Sequence, residues 1–252
     1  MSLIEVNYWE IIKKQYFFKL KAYSGVFTSM MVVQIIAFLL SLGGTGGSGG
    51  SGSSGFSYTT GYYNGSMIIA FTMMWALITG ILITTKAYRN DDFTFVANRG
   101  TSNLSNMLFL LTASIIGGTL SMLSGYLLKV FVYLIFEVDM LFDVTHTIST
   151  LWLGIIASIL YILLFSAIGY LVGVLAQISK SLIIILAAVV IGYPIYASTG
   201  TGQRDEPTLF IAITQFYQGE SMLSLFALKV ILTVTILFFT SLIITNRLEV
   251  KQ

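Results

Sequence analysis

Six apolar runs divide the chain, at about residues 23–42, 67–85, 107–136, 151–175, 182–197 and 222–245. A helix needs about 20 mostly apolar residues to cross a hydrocarbon core of about 30 Å. The pattern therefore predicts an all-α integral membrane protein with six transmembrane helices, forming a single domain over 1–252. The third run is too long for a perpendicular crossing, so it is expected to tilt or to extend beyond the bilayer. The fifth carries Pro194 near its end, where proline kinks or stops a helix.

The spacers between the runs differ in kind. Residues 3–21 alternate lysines with Trp9, Tyr16, Phe17 and Phe18, and Ile4, Tyr8, Ile11 and Ile12 recur at helical spacing. This predicts an interfacial amphipathic helix within residues 1–22, with lysines towards anionic headgroups and aromatics at the acyl boundary. Glu5, Glu10 and four lysines in this stretch argue against a cleavable signal peptide. Residues 43–55 are Gly, Ser and one Thr, the composition of a flexible coil that packs no side chains unless a neighbour holds it. Tyr58, Tyr62 and Tyr63 follow, as suits a membrane interface. Residues 86–106 form the longest polar segment with charges of both signs, holding Arg89, Asp91, Asp92, Phe93, Phe95, Arg99 and Thr101. Charges with aromatics between them suit docking onto a soluble protein, although Phe93 and Phe95 would also suit the membrane surface. Residues 198–220 begin with turn chemistry and continue too apolar for a free loop and too short to span. They are read as a re-entrant or surface-lying helix before the last span.

Small residues mark helix contacts. Gly117, Gly118, Ser121, Ser124 and Gly125 line one stretch of the third run, and Gly169 and Gly173 form a GxxxG pair in the fourth. Such faces let helices approach closely, and packing within the chain is preferred here to dimerisation.

Composition agrees with the pattern. The chain is 56% hydrophobic and 10% charged, with a mean hydropathy of +0.87, whereas soluble domains carry about 25% charged residues. Sidedness is more informative than the net charge of +2. With the N-terminus inside, Lys13, Lys14, Lys19, Lys21, Lys86, Arg89, Arg99, Lys180, Arg247 and Lys251 lie on inner segments, and only Arg204 lies outside. Positive residues favour the cytoplasmic side, so both termini are expected inside a cell membrane.

Lys129 and Lys229 fall within apolar runs. A charge at mid-membrane costs about 2.5–3.5 kcal/mol on insertion scales. Two readings follow: the ammonium groups snorkel to the outer headgroups, which is preferred, or they line an outward vestibule and meet an anionic group. No catalytic constellation is visible. There is no cysteine, and His146 is the only histidine, so neither a thiolate nor a paired-imidazole metal site is expected. No Gly-x-x-x-x-Gly-Lys-[Ser/Thr] phosphate loop occurs, so any ATP chemistry belongs to another chain, and the chain itself is not expected to be an enzyme.

The amphipathic N-terminal helix, six spans, short charged helix candidate between spans two and three, and apolar non-spanning segment before span six resemble the permease subunit of an ABC-2 type exporter. In that family the loop after span two is a coupling helix seated in a groove of the ATPase. It often holds an acidic residue and an Arg/Glu-Gly-Thr run leading into span three. Asp91, Asp92 and Arg99-Gly100-Thr101 match those parts, whereas Ser102-Asn103-Leu104-Ser105-Asn106 replaces the family's leucine run and proline. The resemblance implies that Phe93 and Phe95 are buried anchors, with Arg89, Asp91, Asp92 and Arg99 at the rim. It also implies a cytoplasmic ABC ATPase dimer carrying ATP and Mg, a second permease subunit, identical or related, and no nucleic-acid partner. Small bacterial permeases of this kind export peptides, antimicrobials or other amphipathic compounds. A carrier or channel working without ATP, and a membrane immunity or sensory protein, are the alternatives.

Overall fold

The computed structural model describes residues 8–51, 56–63, 65–85, 87–88, 99–136, 148–178, 215–217, 219–220 and 222–247. Its main helices are α1 (Tyr8–Ala22), α2 (Ser24–Ser41), α3 (Ser66–Leu82), α4 (Arg99–Phe136), α5 (Ile148–Ile178) and α6 (Leu223–Arg247). Four of them, α2, α4, α5 and α6, are long and apolar enough to cross a membrane. The 17 residues of α3 stand at the lower edge of the spanning range. The fifth apolar run, at 182–197, lies outside the described residues.

Two strands, β1 (Thr45–Ser51) and β2 (Phe56–Tyr62), pair antiparallel between α2 and α3, with Thr45 opposite Tyr62 and Ser51 opposite Phe56. Within the glycine- and serine-rich stretch, residues 45–51 are thus held by a neighbouring strand, and residues 52–55 lie outside the described residues. Phe, Tyr and Thr give β2 strand propensity, and β2 supplies the backbone partners that a glycine-rich segment cannot find in its own side chains. Apart from this ribbon and short helical pieces at 87–88 and 215–217, the described elements are the six helices.

The stretch read as an amphipathic helix is helical over Tyr8–Ala22, as α1. It runs almost without interruption into α2. Only Tyr23 leaves helical geometry, at φ −101° and ψ 30°, and its N–H still donates to the Lys19 carbonyl at 2.9 Å. Tyr8, Trp9 and Phe17 are exposed. Lys14 and Glu10 pair on the outer surface at 2.9 Å. The Lys14 hydrogen bond, and then its charge, hold the Glu10 carboxyl below the usual range. The pair is exposed, so it adds little to stability.

Helix α4 has 38 residues, about 57 Å at 1.5 Å per residue. It begins eight residues before the apolar run, so Ser102–Asn106 form its second turn instead of belonging to a loop. The side-chain contacts fix the helix directions. Gln34 meets Thr72 and Trp75 meets Ser29, making α2 and α3 antiparallel. Ser114 meets Ser166 and Tyr170 meets Asn103, making α4 and α5 antiparallel. Tyr161 meets Phe226 and Tyr170 meets Phe238, making α5 and α6 parallel. The starts of α2 and α4 therefore share one end of the bundle with the ends of α3, α5 and α6. We call it the Lys19 end, and the opposite one the Lys229 end.

Lipid tails are as apolar as leucine, so burial alone does not drive these helices together. Close packing and hydrogen bonds do. On α5, a side chain at Gly169 would overlap the Leu77 backbone of α3, and one at Gly173 would strike Thr84 and come within 3.0 Å of the Ile81 backbone. A Cβ at Gly118 on α4 would lie 2.7 Å from the Ile159 backbone of α5. Both small-residue faces are thus used within the chain, as preferred from the sequence. Halfway along the bundle, the Gln34 amide donates to Thr72 Oγ1 at 3.2 Å and to the Gly117 carbonyl at 3.3 Å, tying α2, α3 and α4. Around it pack Met30, Trp75, Ala113 and Ile162. The outward faces of α2 (Met31, Ile35, Leu39) and α6 (Leu228, Leu232, Phe239) are exposed and apolar, as lipid contact requires.

Candidate functional site

At the Lys19 end, α1 lies across α4 between Ser102 and Thr112. Ile12, Gln15 and Lys19 follow one another at i, i+3 and i+7, so they share one face of α1, and all three are buried. Tyr16, beside that face, shares a 2.8 Å hydrogen bond with Thr112 Oγ1. Lys19 was expected to point at lipid headgroups. Instead its side chain is 1% exposed, and its ammonium donates to Ser105 Oγ at 2.8 Å, Asn106 Oδ1 at 2.5 Å and the Ser102 carbonyl at 3.4 Å. The reason is the local sequence of α4. Ser102-Asn103-Leu104-Ser105-Asn106 puts acceptors where the rest of the helix has hydrocarbon, and a buried ammonium must find acceptors.

The polar junction extends further. Asn103 Oδ1 accepts from the buried Tyr170 hydroxyl of α5 at 2.8 Å. The Gln15 side chain is fully buried, and its amide nitrogen and oxygen, like Asn103 Nδ2, make no hydrogen bond among the described residues. Thr101 is also buried, in the first turn of α4.

The segment between α3 and α4 leaves from this junction, and its described flanks are fixed to the bundle. The Thr84 carbonyl accepts from Gln177 Nε2 of α5 at 2.7 Å. The Tyr88 ring meets the Tyr23 ring edge-on at 4.6 Å, and the Tyr23 hydroxyl donates to the Tyr88 carbonyl at 3.3 Å. Beneath them sit Ile83, Met107, Phe109, Leu110 and Val174, drawn from α4, α5 and the end of α3. Of the predicted docking residues, Arg89, Asp91, Asp92, Phe93 and Phe95 lie outside the described residues. Arg99 opens α4, and the same junction holds Thr101.

The two intramembrane lysines are not brought together with that junction. Lys129 is half-buried on α4, with its ammonium 5.6 Å from the centre of the Tyr126 ring. Lys229 has a partner that neither sequence reading named. It forms an ion pair with Glu220, donates to the Phe216 carbonyl at 3.2 Å and lies over the Phe216 ring at 4.2 Å. Its anionic partner is thus in the same chain, nine residues earlier. The acids Glu137, Asp139 and Asp143 and the lone His146 lie outside the described residues.

Sequence reasoning missed the Lys19 junction. The signal was present in two places: a lysine in register with Ile12 and Gln15, and a run of hydroxyls and amides just before an apolar helix. It missed the Lys229–Glu220 pair because acid and base stand on different elements. No protein-family model, curated protein or solved structure matches the chain.

Proposed function

We propose that the chain is the membrane-spanning subunit of an ATP-driven exporter of the ABC-2 permease type, moving peptides, antimicrobials or other amphipathic compounds out of the cell. One observation carries the reading: the segment between α3 and α4 is anchored to the bundle on both sides. Tyr88 is held on Tyr23, Thr84 on Gln177, and the first turns of α4 on Lys19 and Tyr170. A force on that segment enters α1, α2, α3, α4 and α5 together. A coupling element needs this property, and a passive connector does not.

In this reading the Lys19 end is cytoplasmic, as the distribution of lysine and arginine favours. Because α5 and α6 run parallel, the chain between them has to return to the Lys229 end, which supports a fifth crossing at 182–197 and six spans in all. Phe93 and Phe95 seat in a cleft of the ATPase with Arg89, Asp91, Asp92 and Arg99 at its rim, and Thr101 passes the motion inward. The ATPase dimer binds ATP and Mg. A second permease subunit completes the pathway, since six helices make a thin wall alone.

Affinity capture of the chain from gently solubilised native membranes tests this, run beside a variant carrying Asp91→Lys, Asp92→Lys and Phe93→Ala. An ATPase is expected with the natural chain, and at least about tenfold less of it with the variant, because buried aromatic anchors and charges at their rim dominate such interfaces. Absence of any ATPase in several detergents would favour the carrier or immunity alternatives.

A further inference from the structure

At the Lys229 end, a cavity of about 430 Å³ opens between the starts of α5 and α6. This volume falls within the usual range for small-molecule sites. Among the described residues its lining combines three aromatic rings, Tyr161, Tyr217 and Phe226, and one acid, Glu220, with small and aliphatic residues such as Ala157 and Leu223. The Tyr161 and Phe226 rings lie 4.8 Å apart and tilted by 43°. Neither tyrosine hydroxyl makes a hydrogen bond among the described residues. Glu220 gives one oxygen, Oε1, to Lys229, while Oε2 has no hydrogen-bond partner among the described residues.

Lys229 shows what this corner of the molecule accommodates. Its ammonium sits between a carboxylate, a backbone carbonyl and an aromatic face. Aromatic faces attract cations through the ring quadrupole, and a carboxylate in apolar surroundings attracts them more strongly than one in water. An anion entering the cavity would meet Glu220, and a neutral apolar molecule would give Glu220 Oε2 no partner, leaving the carboxylate with Lys229 alone.

We propose that the cavity binds a small lipophilic cation, with Glu220 as counter-ion and Tyr161, Tyr217 and Phe226 as the aromatic walls, and that Lys229 competes for the same carboxylate. The inference concerns binding alone and does not rest on the exporter reading.

The test uses the purified full-length chain in nanodiscs and two probes of the same shape and opposite charge, tetraphenylphosphonium and tetraphenylborate. Saturable binding is measured by equilibrium dialysis against empty nanodiscs. The phosphonium is expected to bind saturably, and the borate is not. Glu220→Gln should weaken phosphonium binding by about tenfold or more, the usual scale for removing one partner of a desolvated charge pair. Lys229→Gln should strengthen it several-fold by releasing the carboxylate, a gain that misfolding cannot produce. Equal binding of both probes, full affinity in Glu220→Gln, or weaker binding in Lys229→Gln would each overturn the proposal.

Discussion

Gly169→Ala is expected to destabilise the bundle by about 3 kcal/mol, at the upper end of overpacking costs. The added methyl would overlap the Leu77 carbonyl and lie 2.9 Å from Leu77 Cα. These are backbone atoms of a helix and cannot rotate aside, so α3 and α5 must separate. That separation would also loosen the contacts of Gly80 and Gly173 along the same seam, where a Cβ on Gly80 would lie 2.8 Å from the Tyr170 nitrogen. For a chain of this size the loss corresponds to a fall in Tm of roughly 6–12 °C, readable by fluorescence-detected size exclusion after heating in detergent. Gly100→Ala is the control. Its Cβ would meet nothing within 4 Å, and alanine is the better helix former by about 1 kcal/mol, so Tm should hold or rise slightly. Equal falls in both variants would contradict the close approach of α3 and α5.

Lys19→Ala is expected to cost about 2–3 kcal/mol, on the scale of hydrogen bonds to a charged group. The substitution removes three donor contacts and leaves Asn106 Oδ1 without the donor at 2.5 Å. Ser105 keeps its own bond to the Ser102 carbonyl, which limits the loss. Lys13→Ala, on the exposed side of α1, should change Tm by no more than about 1–2 °C, as surface substitutions do. The contrast separates a buried anchor from a headgroup-binding lysine. Equal effects, with Tm recovered by anionic lipid, would return Lys19 to the role first read from the sequence.

The spanning helices were legible because apolar length is a strong signal. The run at 23–42 became Ser24–Ser41, and the run at 222–245 became Leu223–Arg247. Their ends were less so. Helix α4 starts at Arg99, in a stretch whose serines and asparagines read as loop, because a polar helix turn is stable only when something polar packs on it. Lys19 supplies that, and no local pattern announces a partner 86 residues away in sequence. The glycine faces were legible as contact surfaces, but which helix each one meets depends on topology. Residues 45–51 were legible only in part for the opposite reason: a glycine-rich sequence takes its structure from its partner strand. At the candidate site, the lysine-rich helix and the charged segment were both visible, but their junction was not.

The central claim, that the segment between α3 and α4 is the contact for an ATPase, is tested most directly by cross-linking. The chain has no cysteine, so Asn90→Cys introduces a single thiol without altering the proposed anchors or rim charges. In native membranes, a thiol-reactive photo-cross-linker at that position should yield an adduct with an ATP-hydrolysing subunit, identified by mass spectrometry, with a yield that changes when nucleotide is trapped by vanadate. A thiol that reacts fully with the reagent, yet yields only lipid adducts or adducts with proteins that bind no nucleotide, would contradict the account.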